Sequence, residues 1–135
     1  TLKPGGRLLL EMGGKGNVAT IIETLQDVLE EHGYVQQSKT VNWYFPKLGT
    51  YSYFLEKNGF KVTFAHLYDR PTKLNDPNTG IIDWLTMFAG KYFTGIPAED
   101  VSSIHEIVQD RVKERLYKDG HFYADYKRLR ICAIK

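Results

Sequence analysis

The sequence predicts an α/β fold with a thin sheet. Three observations carry this expectation. Short apolar or alternating runs near residues 7–12, 60–68 and 121–134 read as strands. Between them lie longer stretches whose apolar residues recur at helical spacing. The resulting order is strand, helix, helix, strand, helix, helix, strand, which alternates as α/β chains do.

Lys3-Pro4-Gly5-Gly6 opens the chain as a type II turn, because proline presets the first central position and glycine supplies positive φ at the second. Arg7-Leu8-Leu9-Leu10-Glu11-Met12 follows, a nearly continuous apolar run expected to be a strand buried on both faces. Val18, Ile21, Ile22, Leu25, Val28 and Leu29 then mark a helix over 18–32, with Asn17 as its N-cap and Gly33 just past its end. Residues 34–46, rich in aromatics around Trp43-Tyr44-Phe45 and closed by Pro46, read as an extended loop. A second helix over 47–58 presents Tyr51, Phe54 and Leu55 to one side and ends at Asn58-Gly59.

Phe60 to Tyr68 alternates and is β-rich. Residues 69–80 hold two prolines, two asparagines and a glycine, and read as a loop. A third helix over 81–93 carries Ile82, Trp84, Leu85, Met87, Phe88 and Tyr92. Pro97 opens a fourth, with acids in its first turn that suit the helix dipole and a stripe of Val101, Ile104, Val108 and Val112. Asp119-Gly120 turns the chain into the last strand. No linker or repeat interrupts it, so residues 1–135 are expected to form a single domain.

Composition narrows the function classes. No apolar run approaches the ~20 residues of a membrane span. One cysteine, Cys132, cannot make an internal disulfide and suits a reducing compartment, so a cytoplasmic location is expected. The four histidines and the cysteine are scattered, and no metal site is expected. A net charge of +2 does not argue for nucleic acid, although eight Lys or Arg stand against four Asp or Glu in residues 110–135. A basic nucleic-acid-binding domain is therefore a minor alternative, and a non-catalytic self-associating module a second.

Glu11-Met12-Gly13-Gly14-Lys15-Gly16-Asn17 lies between a strand and a helix, where phosphate-cradling loops occur. Its glycines fit neither G-x-x-x-x-G-K-[ST] nor G-x-G-x-x-G. No acid ends the Tyr34-Val35-Gln36-Gln37-Ser38 stretch, where a dinucleotide site wants one. The loop reads as a flexible strand exit.

Leu2-Lys3-Pro4-Gly5-Gly6-Arg7-Leu8-Leu9-Leu10 resembles the stretch that leads into the fifth strand of class I S-adenosylmethionine-dependent methyltransferases. Further matches follow in family order. Phe45-Pro46, Tyr51 and Leu55-Glu56-Lys57-Asn58-Gly59-Phe60-Lys61-Val62 resemble the next helix and the sixth strand. Asp69-Arg70-Pro71-Thr72 and Asp83-Trp84-Leu85-Thr86-Met87-Phe88 resemble segments of a bacterial subgroup related to trans-aconitate methyltransferases. Ala124-Asp125-Tyr126, Arg128-Leu129-Arg130 and the residues to Lys135 resemble the seventh strand. The glycines after Glu11 fall at offsets different from those of the family's acid-x-G-x-G-x-G cofactor loop.

The resemblance implies a partial Rossmann-like methyltransferase fold: a mixed sheet of about three strands, the last central and antiparallel, with helices flanking it and inserted at about 75–117. It covers about half of the family's domain, the C-terminal portion, and Thr1 reads as a cut inside that domain. It implies S-adenosylmethionine as cofactor of the intact protein and a small-molecule methyl acceptor. None of the family's cofactor positions can be assigned here, so the fragment alone is expected to bind no cofactor and to be inactive. Ligands of such sheets lie beyond the carboxyl ends of parallel strands. Met12, Gly13, Gly14 and Arg70 therefore become acceptor-side candidates, and the inserted aromatics Trp43, Tyr44, Phe45, Trp84 and Phe88 candidate lid residues. Arg70 suits a carboxylate, or else pairs with Asp69 or Asp76. His66 reads as a structural strand histidine and Lys15 as a solvated residue. The strand at 7–12 would keep one bare edge, which predicts a homo-oligomer.

Overall fold

A computed structural model of the chain describes residues 3–135. Thr1, where the cut was read, and Leu2, the first residue of the turn-and-strand resemblance, lie outside them. The elements in chain order are β1 (Arg7–Gly13), α1 (Ala19–Glu31), α2 (Val35–Ser38), α3 (Leu48–Lys57), β2 (Lys61–Lys73), α4 (Gly80–Phe88), a 3-10 turn (Gly90–Phe93), α5 (Ala98–Leu116), β3 (Tyr117–Lys118) and β4 (His121–Ile134). They divide into two compact units. Among the described residues, a sheet unit holds 3–17, 44–70 and 126–135, and a helical unit holds 18–43 and 71–125.

The sheet unit carries the order β1-β4-β2, with the last strand central as expected. β1 and β4 run antiparallel, Arg7 opposite Ile134 and Gly13 opposite Arg128. β2 is also antiparallel to β4, since Thr63 meets the Cys132 carbonyl while Leu74 meets that of Phe122. The opening turn forms as read: Gly6 N–H donates to the Lys3 carbonyl at 2.8 Å, and Gly5 takes φ +83°. Its amides tie to the chain's far end, with Gly5 N–H on the Lys135 carbonyl at 3.0 Å.

One face of this sheet packs against α3. Leu55 of α3 joins Leu129 and Ile131 of β4 as the buried centre, with Leu8, Leu10, Met12, Tyr51, Val62 and Leu67 partly buried around them. Phe54 of α3, expected on the same side, is 54% exposed. The other face of β1 is not buried: Leu9 is 69% exposed. The apolar run thus alternates in environment although not in sequence, because α3 covers one side only.

In the helical unit α1 packs against α2 and α5, and α4 against α5. Ile21, Leu25, Val28 and Leu29 face Ile104, Val108 and Val112 from the expected stripes, and all are fully buried. α1 ends as read, with Gly33 at φ +86° past His32. Its start differs. Asn17 is not the cap; Val18 holds that position in the left-handed region, at φ 49°. The first-turn amides are served from β4 instead, Thr20 N–H donating to Asp125 Oδ2 at 2.9 Å and Val18 N–H to the Asp125 carbonyl at 3.0 Å.

Three other expectations change. Residues 35–38 form a short helix inside the presumed loop, closed by Ser38 N–H on the Tyr34 carbonyl. β2 continues through Asp69-Arg70-Pro71-Thr72 to Lys73. It lies at the end of the β1-β4-β2 order, where Pro71 needs no inward N–H. The third helix divides at Ala89 into α4 and the 3-10 turn, and the tighter bond of Tyr92 N–H to the Ala89 carbonyl marks the change. The start of α4 is also served from a distance: Gln109 Oε1 of α5 accepts from the Ile81 and Ile82 amides at 3.2 Å each.

Candidate functional site

The loop after β1 is built by close packing. A Cβ on Gly13 would stand 2.8 Å from the Phe45 ring and 2.9 Å from the Asn17 amide. One on Gly14 would strike the Leu67 side chain and come 3.1 Å from Leu129 Cβ. These glycines are thus required by neighbouring side chains. Loop amides are also engaged: Gly14 N–H donates to the Lys127 carbonyl, Lys15 N–H to Pro46 and Asn17 N–H to Gly14, at 2.9–3.0 Å. Asn17 Oδ1 accepts from Lys127 N–H at 2.6 Å. An anion cradle presents unspent amides, and these three are spent.

The candidate residues separate by unit. In the sheet unit, Met12 belongs to the half-buried shell of the core, Phe45 closes over Gly13, and Tyr44 is exposed. In the helical unit, Trp43 lies 5.9 Å from Trp84 and 6.4 Å from Tyr92, ring centre to ring centre. Trp84 is 3% exposed, while Phe88, 5.5 Å from it, remains 48% exposed. Trp84 therefore organises an aromatic cluster from within, and Phe88 presents that cluster's accessible ring.

Arg70 reaches Glu11: its Nη1 stands 3.6 Å from Glu11 Oε1. Asp69 takes Lys127, and Asp76 accepts the Asn78 and Thr79 amides at 2.7 and 3.0 Å, which holds its carboxyl below the usual range. The reason is register. β2 stays extended past Tyr68, so alternate residues keep one face and Arg70 reaches the strand system rather than the turn.

Glu11 is the centre of that face. Arg130, its cross-strand partner, donates from Nη2 to Oε2 at 3.0 Å. Tyr68 hydroxyl donates to Oε1 at 3.0 Å, and Arg128 Nε lies 3.6 Å from the same oxygen. The Arg130 bond, then the Tyr68 bond, hold the Glu11 carboxyl below its ordinary range. Tyr68 also stacks on exposed His66 at 5.0 Å, and the Arg130 guanidinium lies 5.8 Å above the Tyr68 ring. Sequence reasoning singled out Arg70 but missed Glu11, Arg128 and Arg130. The signal was the alternation of charge at 128 and 130, which the strand period places on one face.

The fold defines a class: an α/β chain whose central last strand runs antiparallel to both neighbours. The comparisons agree with that class. The chain is 28% identical to an uncharacterized methyltransferase of Schizosaccharomyces pombe over 141 aligned residues, covering 99% of this chain and 51% of the relative. It superposes on the crystal structure of a candidate methyltransferase from Bacillus halodurans C-125 with a TM-score of 0.51 and 15% identity, covering 99% of this chain and 53% of the other. No family model matches the chain. The chain thus resembles methyltransferases in sequence and in fold, and it spans about half the length of the relatives it matches.

Proposed function

We propose that this chain is the acceptor-side, C-terminal half of an S-adenosylmethionine-dependent methyltransferase that modifies a small molecule, of the subgroup related to trans-aconitate methyltransferases. The observation that carries the reading is the agreement of two comparisons, one of sequence and one of fold, on a protein called a methyltransferase and on about half of its length. The strand order β1-β4-β2 supports it, being the order the resemblance implies for the fifth, seventh and sixth strands.

A sulfonium methyl group is already activated, so the protein's work is to hold donor and acceptor in line. No general base is required unless the acceptor must lose a proton. In this reading the rim at Met12, Gly13 and Gly14, with Phe45 packed on it, borders the acceptor, Tyr44 is an exposed aromatic of the same unit, and Phe88 is the accessible lid candidate of the helical unit. The chain belongs to one cytoplasmic domain, and none of its residues is assigned to the cofactor. Among the described residues, no helix is long and apolar enough to cross a membrane.

Calorimetry with S-adenosylhomocysteine tests this. The chain alone is expected to bind none, and a polypeptide that also carries a cofactor-binding half is expected to bind it. Micromolar affinity in this chain alone would overturn the reading. We also propose that the chain self-associates through the edge of β1. Among the described strands β1 pairs with β4 alone, and it leaves Leu9 exposed. A clean monomer in sedimentation at high concentration would remove that proposal.

A further inference from the structure

We propose that the open face of the sheet holds a binding site for a small apolar monocarboxylate, with its carbon skeleton in a hollow over β4 and its carboxylate on Arg7. The hollow measures about 320 Å³, and its walls include Arg7 and Leu9 of β1, Thr63 of β2, and Cys132 and Ile134 of β4. Register brings these residues together. Arg7 stands opposite Ile134 and Leu9 opposite Cys132, so the strand period turns all four to the face that α3 leaves bare. Thr63 closes the side toward β2, its hydroxyl donating to the Cys132 carbonyl at 3.3 Å.

Two features of the hollow select the ligand. The first is apolar surface left in water: Leu9 is 69% exposed and Ile134 36%. A lone exposed leucine is ordinary. Here Leu9, Cys132 and Ile134 adjoin in a concavity, where a carbon skeleton is covered from several sides at once. The second feature is charge. Arg7 is the one charged residue among the described residues of the lining. Its guanidinium makes no ion pair or hydrogen bond among the described residues. Arg130, two positions from Cys132 on the same strand, is by contrast committed to Glu11 at 3.0 Å.

One unengaged guanidinium fork matches the two oxygens of one carboxylate. A second anionic group would lie against apolar walls without a partner, which costs free energy, so the ligand is a monoanion. Size sets the rest. Ligand pockets start at roughly 300 Å³, so this one suits a short aliphatic chain or a single ring. Each buried methylene is worth roughly fourfold in affinity, and chain length therefore reads the apolar contact separately from the charge. This inference does not depend on methyl transfer, and its test reads binding alone.

The test uses Cys132, the only cysteine of the chain, as a reporter in the wall of the hollow. Its alkylation by the neutral reagent N-ethylmaleimide is timed in the whole chain with butyrate, hexanoate or hexylamine, at constant ionic strength and at low and high protein concentration. Hexanoate is expected to slow the reaction saturably, with an apparent affinity about tenfold above that of butyrate, while hexylamine has no effect. Arg7→Gln should weaken hexanoate protection by about tenfold, since a charge-assisted pair is lost, and Arg7→Lys should fall between. Leu9→Asn, at an exposed position, should weaken hexanoate more than butyrate. Alkylation indifferent to hexanoate, equal slowing by hexylamine, or undiminished protection in Arg7→Gln would overturn the proposal. So would slowing that grows with protein concentration in the absence of any acid, because a second copy of the chain would then occupy the hollow.

Discussion

The helical unit and the sheet unit use the same residue types differently. In the helical unit Ile21, Leu25, Leu29, Ile81, Leu85 and Ile104 are withdrawn from solvent, each completely. Among the described residues of the sheet unit, only Leu129 and Ile131 of the large apolar side chains reach that state, and apart from buried Leu55 their neighbours are half-buried. One unit closes its core with helices on helices. The other lays one helix on one face and leaves charge and aromatic rings on the second. The lesson is that hydrophobic content does not set burial; the number of covering elements does.

The largest expected effect tests that directly. Leu25→Ala should cost about 3–5 kcal/mol, because a fully enclosed side chain leaves a cavity that cannot collapse. Leu10→Ala in the half-buried shell should cost less than half as much. Urea unfolding of both variants measures the gap, and equal losses would erase the distinction between the units.

Glycines sharpen it next. Gly14→Ala should cost about 1–3 kcal/mol, since the new methyl meets Leu67 and Leu129. Gly90→Ala in the helical unit meets nothing within 4 Å and should be neutral or slightly stabilising, by at most about 1 kcal/mol. A neutral Gly14→Ala in thermal melts would mean that the loop is looser than its packing.

The smallest effect is a difference in acid response. His105 is buried, edge-on to Phe93 at 4.8 Å, and burial lowers its pKa from 6.5. The unfolded state therefore takes up this proton first, and the helical unit should lose stability as pH falls below about 6.5. Glu11 is shifted down from 4.5, so its contribution persists above that value and is lost only as pH falls through the acid range below it. Residue-resolved hydrogen exchange between neutral and acid pH should show the helical unit loosening first. His105→Leu should flatten that early step.

Much of this was legible in the sequence, and the illegible parts share a cause. α1 and α5 were readable because Ile21, Leu25, Ile104 and Val108 repeat at the helical period. The Gly5 turn and the end at Gly33 were readable because they are local chemistry. The cap of α1 was not, since Asp125 and Thr20 are 105 positions apart. The extension of β2 through Pro71 depended on its place at the sheet's end. Within the candidate site, the rim glycines and Phe45 were visible, but the packing of Phe45 over Gly13 was not. The basic residues of β4 were visible as composition, whereas their gathering around Glu11 follows from strand register.

The cap that Asp125 gives α1 also bears on how the chain folds. The first amides of α1 find their acceptors on β4, 105 positions away in the case of Thr20. Gly5 likewise needs Lys135. Such long-range closures slow folding. Until β4 docks, α1 stands uncapped and β1 lacks the strand it pairs with, so β4 acts as a clasp.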